Sequence, residues 1–100
     1  MRRVEWSDEA LDDFDSAIDF IAKQSTTSAT LVADRIEYAI DAFTEMPTGR
    51  PGRVSGTYER VVRKTPYVVA YALSDTKIRI VRIIHGARDW PTDSWPADDA

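Results

Sequence analysis

The side chains in this sequence that could grip an anion or move a proton fall within one short span. His85 is the single histidine, and Arg60, Arg63, Arg79, Arg82 and Arg88 lie in the same stretch. An imidazole titrates near neutral pH, which makes His85 the one group suited to general acid or base chemistry there. The guanidinium groups suit phosphates or carboxylates, which they hold through paired hydrogen bonds. The chain has no cysteine, so disulfides and thiolate metal sites are excluded. No nucleophile elbow accompanies the histidine, and a histidine at a strand end more often fills space or bonds locally. Asp8, Asp12, Asp15 and Asp19 recur at helical spacing with no His or Cys ligand beside them. They read as a solvated helix face, and neither a metal nor a cofactor is implied.

Three strand-like runs carry the arginines. They are Tyr58 to Lys64, Tyr67 to Leu73 (Y-V-V-A-Y-A-L) and Lys77 to His85 (K-I-R-I-V-R-I-I-H). Aromatic and β-branched residues dominate them, as a pleated strand favours. Thr65-Pro66 and Ser74-Asp75-Thr76 are short links, so the three runs predict an antiparallel meander. Strand alternation puts Arg60 with Val62 on one side and Arg63 with Val61 on the other. Lys77, Arg79 and His85 share one parity, and Arg82 takes the other with Ile80 and Ile84. An arginine among isoleucines calls for a partly buried ion pair, with Glu59 or a helix aspartate as partner.

The elements upstream must support this sheet. Arg3 to Trp6 reads as a short strand with Val4 and Trp6 on one face. Ser7 is placed to cap a helix, with Asp8 and Glu9 in the first turn where the helix dipole favours them. Ala10, Leu11, Phe14, Ala17, Ile18, Ile21 and Ala22 then recur at helical spacing. A polar break at Gln24 to Ser28 precedes a second helix, whose apolar stripe is Leu31, Val32, Ile36, Ala39, Ile40 and Phe43, and Pro47 stops it. Thr48 to Thr57 reads as a loop that fits neither a Walker loop nor a dinucleotide fingerprint. Asp89 to Ala100 is a tail, ordered as far as Trp95 and flexible from about position 96. Trp90 in that tail either pins it over the core or stacks on a partner. The order strand, helix, helix, strand, strand, strand predicts one α+β domain over residues 1–100. In it a helical hairpin packs on a mostly antiparallel four-stranded sheet.

The formal net charge of −4 conceals a division. Met1 to Met46 holds four basic and eleven acidic residues, a net of −7; Pro47 to Arg88 holds nine basic and two acidic, a net of +7. Four aspartates follow. The two halves can neutralise each other within one fold, yet the basic half marks where an anionic partner would be drawn. With no signal peptide and no apolar run approaching a membrane span, a cytoplasmic protein is expected.

Over its full length the chain resembles the RelE/ParE superfamily of bacterial type II toxin-antitoxin toxins. Five motifs carry the resemblance: W-S-D-E-A-L-D-D at Trp6 to Asp13, M-P-T-G-R-P-G at Met46 to Gly52, V-S-G-T-Y-E-R-V-V at Val54 to Val62, P-Y-V-V-A-Y at Pro66 to Tyr71, and I-R-I-V-R-I-I-H-G-A-R-D-W-P at Ile78 to Pro91. The resemblance implies a toxin held inactive by a cognate antitoxin, ParD-like or similar. It also implies one of two targets: ParE-like members poison DNA gyrase, and RelE-like members cleave messenger RNA on the ribosome. The match favours ParE. RelE-like nucleases place an arginine after the tyrosine of the second hairpin strand, where this chain has Val68. They end in a catalytic tyrosine on the tail, where this chain has Ser94 and Trp95. Members commonly carry Thr-Arg-Glu where Thr57-Tyr58-Glu59 stands, so no role for a basic residue carries over to that position.

Under the gyrase reading no residue is catalytic. The partner-binding set is then Arg60, Arg63, Arg79, Arg88 and Trp90, with Leu11, Phe14 and Ile18 on the first helix. Under the nuclease reading, Arg63, His85 and Arg88 form the centre, with no metal. A toxin fold retained only as a partner-binding module is the third reading.

Overall fold

The computed structural model describes residues 2–46, 49–52 and 54–86. The expectations for Arg88, Trp90 and the tail beyond lie outside the described residues. In chain order the elements are β1 (Arg3–Trp6), α1 (Asp8–Ala22), α2 (Thr26–Glu45), β2 (Arg50–Pro51), β3 (Tyr58–Val61), β4 (Tyr67–Leu73) and β5 (Lys77–His85). The sheet order is β1-β5-β4-β3-β2. β3, β4 and β5 form the antiparallel meander that their spacing predicts, and β1 joins the far side of β5 in parallel. The helical hairpin covers one face, as an α+β chain with amphipathic helices requires.

Local chemistry sets the boundaries. Ser7 caps α1: its Oγ accepts a hydrogen bond from the Ala10 amide at 3.0 Å. The same hydroxyl donates to the Val81 carbonyl at 2.8 Å, tying the start of α1 to β5. Ser25 caps α2 by accepting from the Ser28 amide at 3.1 Å. The second helix therefore begins inside the stretch expected to be a polar break, since Ser and Thr fit a first turn as well as a linker.

The sheet has five strands where four were expected. Arg50 and Pro51, read as loop, pair antiparallel with Glu59 and Tyr58. A proline at a sheet edge has no amide whose loss the ladder would feel, so the composition that looks like a loop also fits a two-residue edge strand. Gly49 fixes the approach to this strand by donating its amide hydrogen to the Tyr71 Oη at 2.7 Å. A β-carbon at position 49 would come within 2.8 Å of the Glu59 carbonyl oxygen and closer still to the Tyr71 hydroxyl. Only glycine lets the backbone come that close.

β3 ends at Val61, short of the expected Lys64. Lys64 has φ +63°, the left-handed turn that returns the chain into β4. On β5, Val81 has no counterpart in the register, which steps from Ala70–Arg82 to Tyr71–Ile80. This bulge changes the parity of the strand. Ile83 therefore joins Ile78 and Ile80 in the core beneath the helices. Tyr71, Ile36, Ile78, Ile80, Val62 and Val69 are the largest fully buried side chains. Phe43 and Tyr58 stack on the Tyr71 ring from two sides, with centroids at 4.9 and 5.7 Å.

Candidate partner-binding surface

A groove of about 580 Å³ runs between the outer face of α2 and the β3 side of the sheet. Leu31, Tyr38 and Met46 from α2 and its C-cap line it with Val61 from β3, and all four are exposed. Tyr38 is 78% exposed. The cationic residues of the groove are Arg35, Arg60, Arg63 and Lys64, against Asp34 as the acid. The turn after β3 is braced from α2, where Arg35 Nη1 donates to the Lys64 carbonyl at 3.3 Å. β2 pairs only with Tyr58 and Glu59, so the outer edge of β3 at Val61 is not flanked by it.

Behind the groove lies the buried core around Tyr71. Burial pushes the Tyr71 phenol up from the usual tyrosine range, against the opposing pull of the Gly49 amide and the Arg60 charge. Tyr71 therefore stays protonated, and serves as the acceptor that holds the β2 edge in place.

A second cleft, of about 530 Å³, lies between α1 and the ends of β4 and β5. His85 lines it with Tyr67, Phe20 and Ile83, and the imidazole stands edge-on to the Tyr67 ring at 5.5 Å. The β5 bulge explains the position. Alternation alone aligns His85 with Arg79, but the extra residue brings it to the helix side. Asp13 also reaches this cleft and is engaged there. Its carboxylate accepts from Arg82 Nε at 2.7 Å and Nη2 at 2.9 Å, and from the Ile83 amide at 2.9 Å. The hydrogen bond from Arg82 to Asp13 raises the guanidinium above its already high usual pKa. This is the ion pair that an arginine among isoleucines calls for, and the helix aspartate is the partner.

The other expected site residues are distributed. Arg60 and Arg63 line the α2–β3 groove, whereas His85 lines the cleft under α1. Arg79 sits mid-sheet, in register with Glu5 of β1 and Ala72 of β4. On α1, Phe14 packs edge-on against Trp6 at 5.6 Å and lies partly buried against the core, Ile18 is half-buried and Leu11 is exposed. Asp8, Asp12, Asp15 and Asp19 are all exposed. Among the described residues no group of three or more His, Cys, Asp or Glu side chains is placed to hold a metal ion. Likewise, no helix among them is long and apolar enough to cross a membrane.

Sequence reasoning missed Tyr38 and Met46, and placed Leu31 in the buried stripe. The available signal was the width of the apolar face on α2. Leu31, Tyr38 and Met46 are spaced by seven and eight residues and form a second stripe beside Val32, Ile36, Ala39, Ile40 and Phe43. A helix packed on a sheet needs one stripe, and among the described residues the second is left exposed.

The described residues thus form an α+β domain, a helical hairpin on a mostly antiparallel sheet, with an exposed groove that carries four basic side chains. The chain belongs to the ParE toxin family of type II toxin-antitoxin systems, within the RelE/ParE superfamily: residues 4–90 match the family model for the ParE toxin of the parDE system. It is 35% identical over 91 residues to Y4kP of Sinorhizobium fredii, a presumed toxin, covering 90% of this chain and 94% of that protein. It is also 35% identical over 88 residues to the toxin RelE2 of Caulobacter vibrioides, covering 88% of this chain and 99% of that one. The fold is similar to a chain of the chromosomal ParDE system from P. aeruginosa (TM-score 0.76, 20% identity, 85% of this chain and 96% of that one). A chain of the E. coli DinJ-YafQ complex is more distant (TM-score 0.56, 16% identity, 87% and 96%).

Proposed function

We propose that this chain acts in the cytoplasm as a ParE-like toxin that inhibits DNA gyrase by binding, and that a cognate antitoxin neutralises it. The observation that carries the reading is the match of residues 4–90 to the ParE toxin family. The placement of the charged groups supports it. Metal-free RNA cleavage needs a base for the 2′-hydroxyl, an acid for the leaving oxygen and cations on the phosphate, all within reach of one another. Arg63 lines the α2–β3 groove while His85 stands edge-on to Tyr67 in the cleft under α1. Asp13, the carboxylate of that cleft, is held by Arg82 and the Ile83 amide. A docking surface without a reaction centre fits this arrangement better. The antitoxin partner is supported by the solved relatives of the same fold, which come from the ParDE and DinJ-YafQ systems.

The second reading is a ribosome-dependent messenger RNA endoribonuclease built on Arg63, His85 and Arg88. It draws on the 35% identity to a toxin named RelE2. The deciding experiment compares gyrase supercoiling with messenger RNA integrity in a translating extract, using the purified chain. Loss of supercoiling with intact message is the expected outcome. Codon-positioned cuts that vanish in His85→Ala would establish the nuclease instead.

A further inference from the structure

We propose that the sheet face turned away from the helices is a second apolar seat, and that the chain's own C-terminal segment, residues 87–100, folds back to fill it with Trp90. Such a seat is independent of the toxin reading above.

The helices close a core against one face of the sheet, where Tyr67, Val69, Tyr71, Ile78, Ile80 and Ile83 gather. The alternate residues of β4 and β5 turn the other way. Val68, Ala70, Val81 and Ile84 stand outside that core, yet they are 8%, 0%, 7% and 6% exposed. A sheet with one face in water alternates apolar and polar residues along its strands, whereas a strand covered on both faces reads as one apolar run. Tyr67–Leu73 is such a run. Both helices belong to the core and all five strands to the one sheet, so no described helix or strand covers the second face.

The exit of the chain from β5 points to the occupant. The Gly86 amide donates to the Pro66 carbonyl at 2.7 Å, and a β-carbon at position 86 would stand 3.3 Å from Val68 Cγ2. The chain therefore leaves β5 beside one of the residues that need a cover. Strands lie about 4.8 Å apart, so crossing from β5 to β3 takes about 10 Å. Trp90 is five residues beyond His85, a reach of about 17 Å in extended chain.

Composition fits the seat as well. Residues 87–100 hold Trp90, Pro91, Trp95 and Pro96 among four aspartates and one arginine. An indole supplies the large apolar surface that Val68 and Ile84 lack. Towards β1 the same face is basic, with Arg3, Lys77 and Arg79 against Glu5, and the aspartates of the segment complement it. This arrangement gives Trp90 and Arg79 to the fold and takes them out of the partner-binding set drawn from sequence.

The test is nuclear magnetic resonance on the full chain, free of any partner, with isotope-labelled valine and isoleucine methyl groups. Contacts from the Trp90 indole to the Val68 and Ile84 methyls are expected. Trp90→Ala should move those methyl resonances, leave Ile36 and Ile40 of α2 in place, and lower Tm by roughly 10 °C, the scale of a large aromatic lost from a partly covered site. Mixing labelled with unlabelled chains separates contacts within a chain from contacts between copies. Contacts found only between copies would give the face to self-association and overturn the proposal, as would outer-face methyls unmoved by Trp90→Ala. Should that variant fail to fold, the wild-type spectrum decides: without contacts between Trp90 and this face the seat is not filled by the tail.

Discussion

Replacing Asp13 with alanine should be the most damaging single change to this fold outside its apolar core. The carboxylate receives three hydrogen bonds, two from the Arg82 guanidinium and one from the Ile83 amide. It joins α1 to β5 immediately after the bulge at Val81. Both side chains are largely buried, 16% exposed for Arg82 and 17% for Asp13. Removing one partner of a fully buried pair costs about 3–5 kcal/mol; Glu9 also acts on the Arg82 guanidinium, so its charge keeps some compensation here. The residual exposure lets water reach the guanidinium, which places the expected loss near the lower limit, about 3 kcal/mol. A domain of this size typically has about 5–15 kcal/mol to lose. One kcal/mol corresponds to about 4–8 °C for a chain near 100 residues, so Tm should fall by roughly 12–24 °C.

The assay is urea and thermal unfolding of the wild type, Asp13→Ala, Arg82→Leu and the double variant Asp13→Leu/Arg82→Leu. Apolar replacement of both partners leaves no buried charge, and such swaps are often near neutral. The Ile83 amide still loses its acceptor, worth about 1–3 kcal/mol. The double variant should therefore cost clearly less than the sum of the two single changes. A loss below about 1 kcal/mol in Asp13→Ala, or strict additivity in the cycle, would refute the reasoning, because the two groups would then not be coupled.

Ser7→Ala removes the cap of α1 and strands the Val81 carbonyl; a loss of about 2 kcal/mol is expected in urea unfolding, and less than about 0.5 would contradict it. Gly49→Ala places a methyl group against the Tyr71 hydroxyl and the Glu59 backbone. It should cost about 2 kcal/mol by the same measurement, since the backbone oxygen has nowhere to go. The raised Tyr71 pKa makes stability depend on alkaline pH. The unfolded phenol ionises near about 10 while the folded one holds its proton to higher pH, so this contribution is intact below about 10 and is lost as pH rises towards the folded value. Tyr71→Phe should flatten that alkaline decline; an unchanged slope between about pH 10 and 11 would show that other groups cause it.

Much of the fold was legible because local chemistry and tertiary structure agree along most of the chain. β4 and β5 occupy the spans their β-branched runs mark, and Ser7 caps α1 as its position predicts. The misses have physical causes. β2 consists of an arginine and a proline between glycines, and only the register with Glu59 and Tyr58 reveals it as a strand. The bulge at Val81 leaves no mark in an unbroken run of β-branched residues, yet it decides which side of β5 carries His85. Lys64 looks like the end of a strand until its φ is known. The partner-binding set drawn from sequence takes its apolar members from α1, where Leu11 is exposed and Phe14 is partly buried against the core. Exposure, which periodicity does not encode, moves attention to Tyr38 and Met46 of the neighbouring helix and its cap.

The division of charge along the chain takes a different meaning once the fold is known. Part of the basic half serves the structure itself. Arg82 is committed to Asp13 on α1, and Lys77 reaches Glu5 of β1 at 3.2 Å. Both pairs join the basic second half of the chain to its acidic first half, the internal neutralisation that the bulk numbers allow. Arg63 and Lys64 are different in kind. They stand exposed on a turn that α2 braces through Arg35, beside a groove with an apolar floor. Charge at such a rim adds little to the stability of the fold, because exposed groups are well solvated. Such charge would act instead on encounter, by speeding the approach of an anionic partner. Lys77 and Arg82, which secure the sheet, and Arg63 and Lys64, which stand at the groove, therefore differ in role although all four belong to the basic half of the chain.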